Sequence, residues 1–357
     1  MKKQVKNKMF LVSNMYPSSK NVRYGIFVKN FEKAVAGDWD VKKIVLRKHY
    51  NFTAKLFAYI VFYLKLLLLP FRVRKDDLIY VHFPLYALPA MMPFCLKKNK
   101  VILNFHGNDL VFDKTLKKIL SIFQRCPAKK FRLVTPSQYY AGKVANMYQK
   151  PVDEIFVYPS GGIDRSVFYP TESSSENTFT LSYVSSFVDY KGWKYFLQAV
   201  KNINLQKRIN NLQVLMVGDG PDKEKISRFI AENNLPVSLY SDLTHPEIAK
   251  IYNRSDLFIF PTVHKGESLG LVGLEAMACG TPVIGSKLPA LQMYLKDGYN
   301  GYFFTPGNTD DLIRKILKYY QLSTNQKHQM IQNALDTALL FDSEINRKKL
   351  LEYLTGV

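Results

Sequence analysis

The chain has 357 residues, a formal net charge of +21, and 47% hydrophobic and 14% aromatic residues. That length supplies two cores of ordinary domain size, and the composition excludes the collagenous, disordered and disulfide-stapled classes. Three cysteines (Cys95, Cys126 and Cys279) share no metal-ligand spacing and cannot all pair, which predicts a reduced, cytosolic chain.

The opening MKKQVKNKMFLV has a basic start and only four apolar residues after it, so it reads as a first strand (9–14) and not as a signal peptide. Further strands are predicted at 42–48, 77–83, 100–107, 132–137 and 154–161, with helices around 26–37 and 139–148. The most apolar segment is LFAYIVFYLKLLLLPF (56–71). It contains Lys65, is followed by Arg72, Arg74 and Lys75, and is short for a span of about 20 residues. Three readings stay open: a buried helix between strands, a helix lying in the membrane interface with snorkelling cations, and a true span. Residues 165–178 have linker character. Strands resume at 178–186, 212–220, 236–241, 256–261 and 281–286, and 326–354 reads as surface helices.

Two successive alternations of strand and helix predict an α/β chain of two facing Rossmann-like domains around a cleft. The expected bounds are 1–168, 169–330, and a helical segment 331–357 near the domain junction. Charge divides along the same line. Residues 1–170 hold 30 Lys and Arg against 10 Asp and Glu, whereas residues 171–357 hold 20 against 19. The first half therefore faces something anionic: nucleic acid, a membrane surface or a phosphorylated substrate.

The stretch Asp256–Ser286 (DLFIFPTVHKGESLGLVGLEAMACGTPVIGS) reads as one βαβ unit. An apolar strand ends at a proline, a loop carries Lys265 and Gly266, and apolar residues then repeat at helical intervals from Ser268 to a cap at Gly280. Ligands of open parallel sheets sit at the carboxyl ends of strands beside helix N-termini. Glu267 is expected there, with Glu275 about two turns into the helix on nearly the same side. Backbone N–H groups around Leu269 and Gly270 are placed to hold a phosphate.

GESLGLVGLEAMACGTPVI resembles the donor-binding signature of retaining glycosyltransferases of family 4, which have the GT-B architecture. The likeness covers most of the chain. NFHGND (104–109) is similar to the family's His-Gly-x-Asp turn, VYPSGGIDRSVF (157–168) to its inter-domain segment, and YKGW (190–193) to its Lys-Gly motif. MVGDGP (216–221) resembles its Gly-rich turn and DGYNG (297–301) its late turn. The resemblance implies transfer of a sugar from a nucleotide-diphosphate sugar, with Glu275 on the ribose, Glu267 on the sugar, and Lys191 beside the leaving diphosphate. It implies a sugar contact for His106, a phosphate-proximal loop at Gly25, and donor contacts at Ser186 and Gly218. Ser186 stands where the family has an arginine, so Lys265 and Arg23 are candidates for a second cation. KLPALQM (287–293) replaces a Gly-Gly-Ile-Pro-Glu stretch and is expected to be structural.

The expected acceptor is a glycan or lipid-linked hydroxyl at an anionic membrane surface, in bacterial polysaccharide assembly on the inner face of the membrane. The alternative is a non-catalytic nucleotide-sugar or glycan-binding protein on the same fold. No cofactor, metal or nucleic-acid partner is expected. Asp38-Trp39-Asp40 has the form of a diphosphate–metal motif but lies far from the donor motifs, and the chain lacks a recognisable nucleic-acid module.

Overall fold

The computed structural model describes residues 7–19, 21, 24–110, 130–171 and 177–356. Arg23, Cys126 and residues 172–176 of the expected linker lie outside them. Two six-stranded parallel sheets form the frame. In the first, β1 (Lys8–Tyr16), β2 (Asp40–Arg47), β3 (Leu78–His82), β4 (Lys100–Asn104), β5 (Arg132–Thr135) and β6 (Phe156–Val157) lie in the order β2-β1-β3-β4-β5-β6. In the second, β7 (Phe179–Val184), β8 (Leu212–Val217), β9 (Val237–Tyr240), β10 (Leu257–Phe260), β11 (Val283–Ser286) and β12 (Gly301–Phe304) lie in the order β12-β11-β10-β7-β8-β9.

The central strands are buried because helices cover both faces of each sheet. All five residues of β3 and all six of β7 are buried. Every strand predicted from sequence is present; most stop earlier at the carboxyl end, where loop residues had been included, whereas β1 runs on to Tyr16 and β11 ends at Ser286 as expected. β12 was not anticipated: GYFF is four residues long and follows directly on the turn DGYN.

Backbone contacts divide the chain into two units, one reaching Gly161 and including Asn346 onward, the other Gly162–Ile345. The boundary thus falls before the anticipated residue 168. Ile163 N–H donates to the Phe341 carbonyl (2.8 Å) and Ser343 N–H to the Ile163 carbonyl (2.9 Å), fastening the segment after Gly162 to the second unit. The last helix, Ser343–Thr355, contributes Leu350 and Leu354 to the core of the first unit beside Met9, Val28 and Tyr80. Its Arg347 pairs with Asp38 (3.0 Å) and donates to the Ala34 carbonyl (2.9 Å), while Asp40 pairs with Lys42 (3.0 Å).

The apolar segment forms a 21-residue helix, Phe52–Arg72. Phe62, Leu66 and Leu69 on one stripe belong to the core of the first unit, and the opposite stripe is exposed. The wholly buried helix is therefore not what forms. Cys95 is disulfide-bonded and Cys279 is a buried free thiol, so the fully reduced chain expected from sequence is not observed.

Candidate functional site

In the second sheet β7 and β10 are neighbours, and successive strands depart from them in opposite directions. This is the switch point where ligands of doubly wound sheets bind, outside the carboxyl ends of the strands. The loops leaving β7 (185–192) and β10 (261–270) meet there. Gly192 makes the meeting possible. Its φ is +78°, and a β-carbon would stand 1.9 Å from the Pro261 carbonyl oxygen, a position no other residue could occupy without moving the loop. Val263 N–H donates to the Tyr190 carbonyl (2.9 Å), and the Tyr190 ring lies 4.9 Å from that of His264.

The consequence is an ion pair between two separate sequence motifs. Lys191 Nζ lies 2.7 Å from Glu267 Oε2, with the two side chains only 20% and 12% exposed. Lys191 is therefore not the lone cation that its sequence context suggests.

Behind the pair, the MVGDGP turn packs on the same loop. Gly218 is buried against the Ser185 carbonyl, Phe187 N–H donates to the Asp219 carbonyl (2.9 Å), and Asp222 N–H donates to the Phe187 carbonyl (3.0 Å). Asp222 also accepts from Trp193 Nε1 (3.1 Å). Ser186 is held at the surface between these contacts, and Lys265 is exposed.

The helix following β10 runs from Leu271 to Ala278, three residues later than Ser268, where it was expected to start. Glu267 therefore sits in the loop and not beside the first turn. Its N–H closes a turn onto the His264 carbonyl (3.1 Å), and Gly270 at φ +76° breaks the helical path. Tyr294 fixes that break: its hydroxyl donates to the Gly270 carbonyl (3.1 Å), and its ring fills the space beside Gly273. Leu269 is buried beneath it, and the first-turn amides of the helix are turned toward the loop end. At the other end, Gly280 N–H donates to the Met277 carbonyl (3.0 Å) and Thr281 N–H to the Ala276 carbonyl (2.9 Å), the paired bonds of a glycine C-cap.

Glu275 is half-buried in this helix, with the Tyr252 hydroxyl 3.4 Å from its Oε2. Burial pushes its carboxyl up to about 7. The 287–293 segment supplies Leu288 and Leu291 to the core of this unit, and Tyr294 and Leu295 follow immediately.

The first unit carries a second cluster at its own strand ends. His106 follows β4, and its N–H donates to Asp109 Oδ1 (2.8 Å). Its ring is clamped among Phe27 (4.4 Å between centroids), Phe83 (4.9 Å, stacked) and His82 (5.1 Å, stacked), with His82 Nδ1 2.9 Å from His106 Nε2. Burial lowers His106 to about 3 and His82 well below its ordinary value, so both imidazoles are neutral. Asp109 is buried and pushed up to about 7, opposed by backbone N–H bonds. Gly25, against the Met15–Tyr16 backbone, opens the helix Ile26–Val35 that delivers Phe27 to His106. Phe83 holds φ +53°, a strained value that persists only where its surroundings enforce it.

Within the second unit the structure thus brings Lys191, Glu267, Gly218, Leu269, Gly270 and Glu275 to one set of strand ends. Within the first, Gly25 starts the helix whose Phe27 packs on His106. Sequence reasoning missed His82, Tyr252 and Tyr294. YVHF could have signalled the first, because His82 is in register with Asn104, two residues before His106. The two tyrosines lie far from their partners in sequence.

Residues 168–337 match the family model described as Glycosyl transferases group 1. An uncharacterized glycosyltransferase of Methanocaldococcus jannaschii is 28% identical over 247 residues, 68% of this chain and 65% of that protein. The sulfoquinovosyl transferase of Arabidopsis thaliana is 27% identical over 43% of this chain and 31% of its own length. The matched region thus spans less than two thirds of these curated relatives. The crystal structure of Anabaena HepE in complex with UDP and glucose superimposes with a TM-score of 0.73 at 16% identity, covering 99% of this chain and 100% of that one. That likeness shows the fold, the two-domain α/β arrangement called GT-B. The likeness to the glycosyl transferases group 1 family thus lies in residues 168–337, just under half of the chain.

Proposed function

We propose that the chain transfers a sugar from a nucleotide-diphosphate sugar to an acceptor hydroxyl, with retention at the anomeric carbon. The observation that carries this reading is the Lys191–Glu267 pair at the switch point of the second sheet, with the Gly270 helix start and Glu275 beside it. A nucleotide sugar presents the complementary groups. Glu275 accepts from ribose hydroxyls and Glu267 from sugar hydroxyls, at about 1.5–3 kcal/mol for each charge-assisted bond. Lys191 and the amides of the Gly270 turn meet the charge that grows on the diphosphate as its bond to the anomeric carbon breaks. A cationic side chain and backbone dipoles take this role in place of a divalent ion. The acceptor oxygen bonds to the same face of that carbon, and its proton passes to the departing phosphate oxygen. His106, neutral and clamped, orients the sugar by hydrogen bonding and not by charge.

The first unit takes the acceptor. Its excess of cations suits a glycan acceptor carried on a lipid phosphate, with the protein peripheral on the inner face of the membrane during bacterial polysaccharide assembly. The structural neighbour with bound UDP supports a uridine nucleotide as the first donor to try.

A thermal-shift screen of UDP-, GDP-, ADP- and dTDP-sugars tests donor binding. A ligand at 100 times its Kd raises stability by about 2.7 kcal/mol. Donor hydrolysis or transfer by the wild type that disappears in Glu267→Ala supports the enzyme. Nucleotide binding with neither reaction would establish the non-catalytic reading.

A further inference from the structure

A cleft of about 210 Å³ opens in the first unit at the carboxyl ends of β1 and β2. Arg47, Lys48, His49 and Lys55 line it, together with Asn14 and Tyr59. Among the described residues no acidic side chain lines the cleft, and none of its three Lys and Arg side chains is in an ion pair. Elsewhere in the same sheet the lysines of β2 are matched, Lys42 with Asp40 and Lys43 with Glu32. The cleft therefore concentrates uncompensated positive charge, which favours a multivalent anion such as a phosphate group. The buried Oδ1 of Asn14 has no hydrogen-bond partner and would accept from a hydroxyl next to that phosphate.

The far wall of the cleft is the beginning of the helix Phe52–Arg72, through Lys55, Ala58 and Tyr59. Among the described residues, the opposite side of this helix is exposed. Phe57 is 67% exposed, Leu67 58% and Phe71 85%, with Leu56, Ile60 and Leu64 continuing the stripe. Their spacing at three and four residues makes one continuous apolar face, far beyond the scattered apolar residues of an ordinary surface. Because Phe62, Leu66 and Leu69 are bound into the core, the helix cannot cross a bilayer without dismantling the unit. It can lie in the interface. Arg72, Arg74 and Lys75 follow the apolar face, so cations stand at both of its ends.

We propose that the cleft binds the phosphate of a membrane lipid while the exposed face of Phe52–Arg72 lies in the bilayer interface, next to the headgroup so held. The inference rests on the lipid-phosphate acceptor reading above and assigns it a site. The apolar face decides for a lipid over a soluble phosphate, since a soluble ligand leaves that face in water.

Co-sedimentation of the full chain with phosphatidylcholine vesicles, with and without phosphatidylglycerol, tests the assignment. Binding is expected with the anionic lipid. Arg47→Gln/Lys48→Gln/Lys55→Gln should weaken it about 100-fold, from about 1 kcal/mol for each cation at an anionic surface. Phe57→Ser/Phe71→Ser should lower it at both low and high salt. Lys201→Gln/Lys250→Gln/Lys318→Gln removes the same charge from the second unit and should leave binding unchanged. An equal loss in that control would overturn the site in favour of diffuse attraction. Glycerol phosphate binding in the cleft without vesicle binding would assign it to a soluble phosphate and overturn the lipid proposal. Each variant is checked for an unchanged thermal shift with UDP. Failure of the wild type to respond to any nucleotide would count against the transferase reading and leave the vesicle result standing.

Discussion

Lys191 and Glu267, 76 residues apart, share a 2.7 Å ion pair at the carboxyl ends of adjacent strands β7 and β10. The pair joins a cation suited to a leaving phosphate with a carboxylate suited to a sugar hydroxyl, so each orients the other before any ligand arrives. Glu267→Gln and Lys191→Met are each expected to lower transfer by about 10² to 10³. Denaturant unfolding of both singles and the double variant should show a coupling of about 0.5–3 kcal/mol. Additive stability losses would mean that the pair does not hold the loops together.

If Glu275 binds the donor, donor binding and stability should depend on pH in opposite directions. Its carboxyl is raised from 4.5 to about 7 in the folded chain, so the folded state holds the proton more tightly than the unfolded state. Its contribution to stability is fully present below about 4.5 and is lost as pH rises through about 7. Nucleotide affinity should rise over the same interval as the carboxylate becomes able to accept two hydroxyl bonds. Glu275→Gln should flatten both profiles, measured by thermal unfolding and by nucleotide titration between pH 5 and 8.

The Gly192–Pro261 approach leaves no room for a methyl group. Gly192→Ala should destabilise the second unit by roughly 2 kcal/mol or more and displace Lys191. Circular dichroism during urea unfolding gives the first quantity and nucleotide affinity the second. A wild-type midpoint would show that the loop yields freely.

Tyr294→Phe removes one hydroxyl bond and leaves the ring packed against Gly273. The expected stability cost is about 1 kcal/mol, from the Gly270 carbonyl losing its partner. If the Gly270 turn holds the diphosphate, the Kd for UDP should rise several-fold while the Kd for uridine stays constant.

His82 and His106 should remain neutral at pH 5, read from their ¹⁵N chemical shifts. His106 falls from 6.5 to about 3 on folding, so the unfolded chain binds more protons between these values. The stabilisation it contributes is present above about 6.5 and is lost as pH falls toward about 3. An imidazolium signal from either ring at pH 5 would contradict the burial.

Strand ends and turns were legible in the sequence because a parallel sheet writes its core as short apolar runs that stop at glycine or proline. DLFIFP and MVGDGP both show this, and both end at the site. Less legible was anything set by a distant residue. The helix starts at Leu271 because Tyr294 holds Gly270 off the helical path, a contact across 24 residues. The periodicity of SLGLVGLE gives no warning of it. Phe52–Arg72 shows the same limit. Its apolar residues occupy both sides of the helix, and only the packed structure reveals that Phe62, Leu66 and Leu69 meet the core while Phe57, Leu67 and Phe71 do not. His82 and His106 each look like an isolated histidine at a strand end until β3 and β4 are paired.

The return of the final helix to the first unit bears on how the chain is made. Leu350 and Leu354 close the cluster around Met9, Leu11 and Tyr80, so the unit translated first is the last to be completed. On the ribosome the side of its sheet that Ile26–Val35 packs on stays only partly covered until the second unit has been synthesised. Removing Asn346 onward should therefore cripple the amino-terminal half of the protein and leave Gly162–Ile345 comparatively intact.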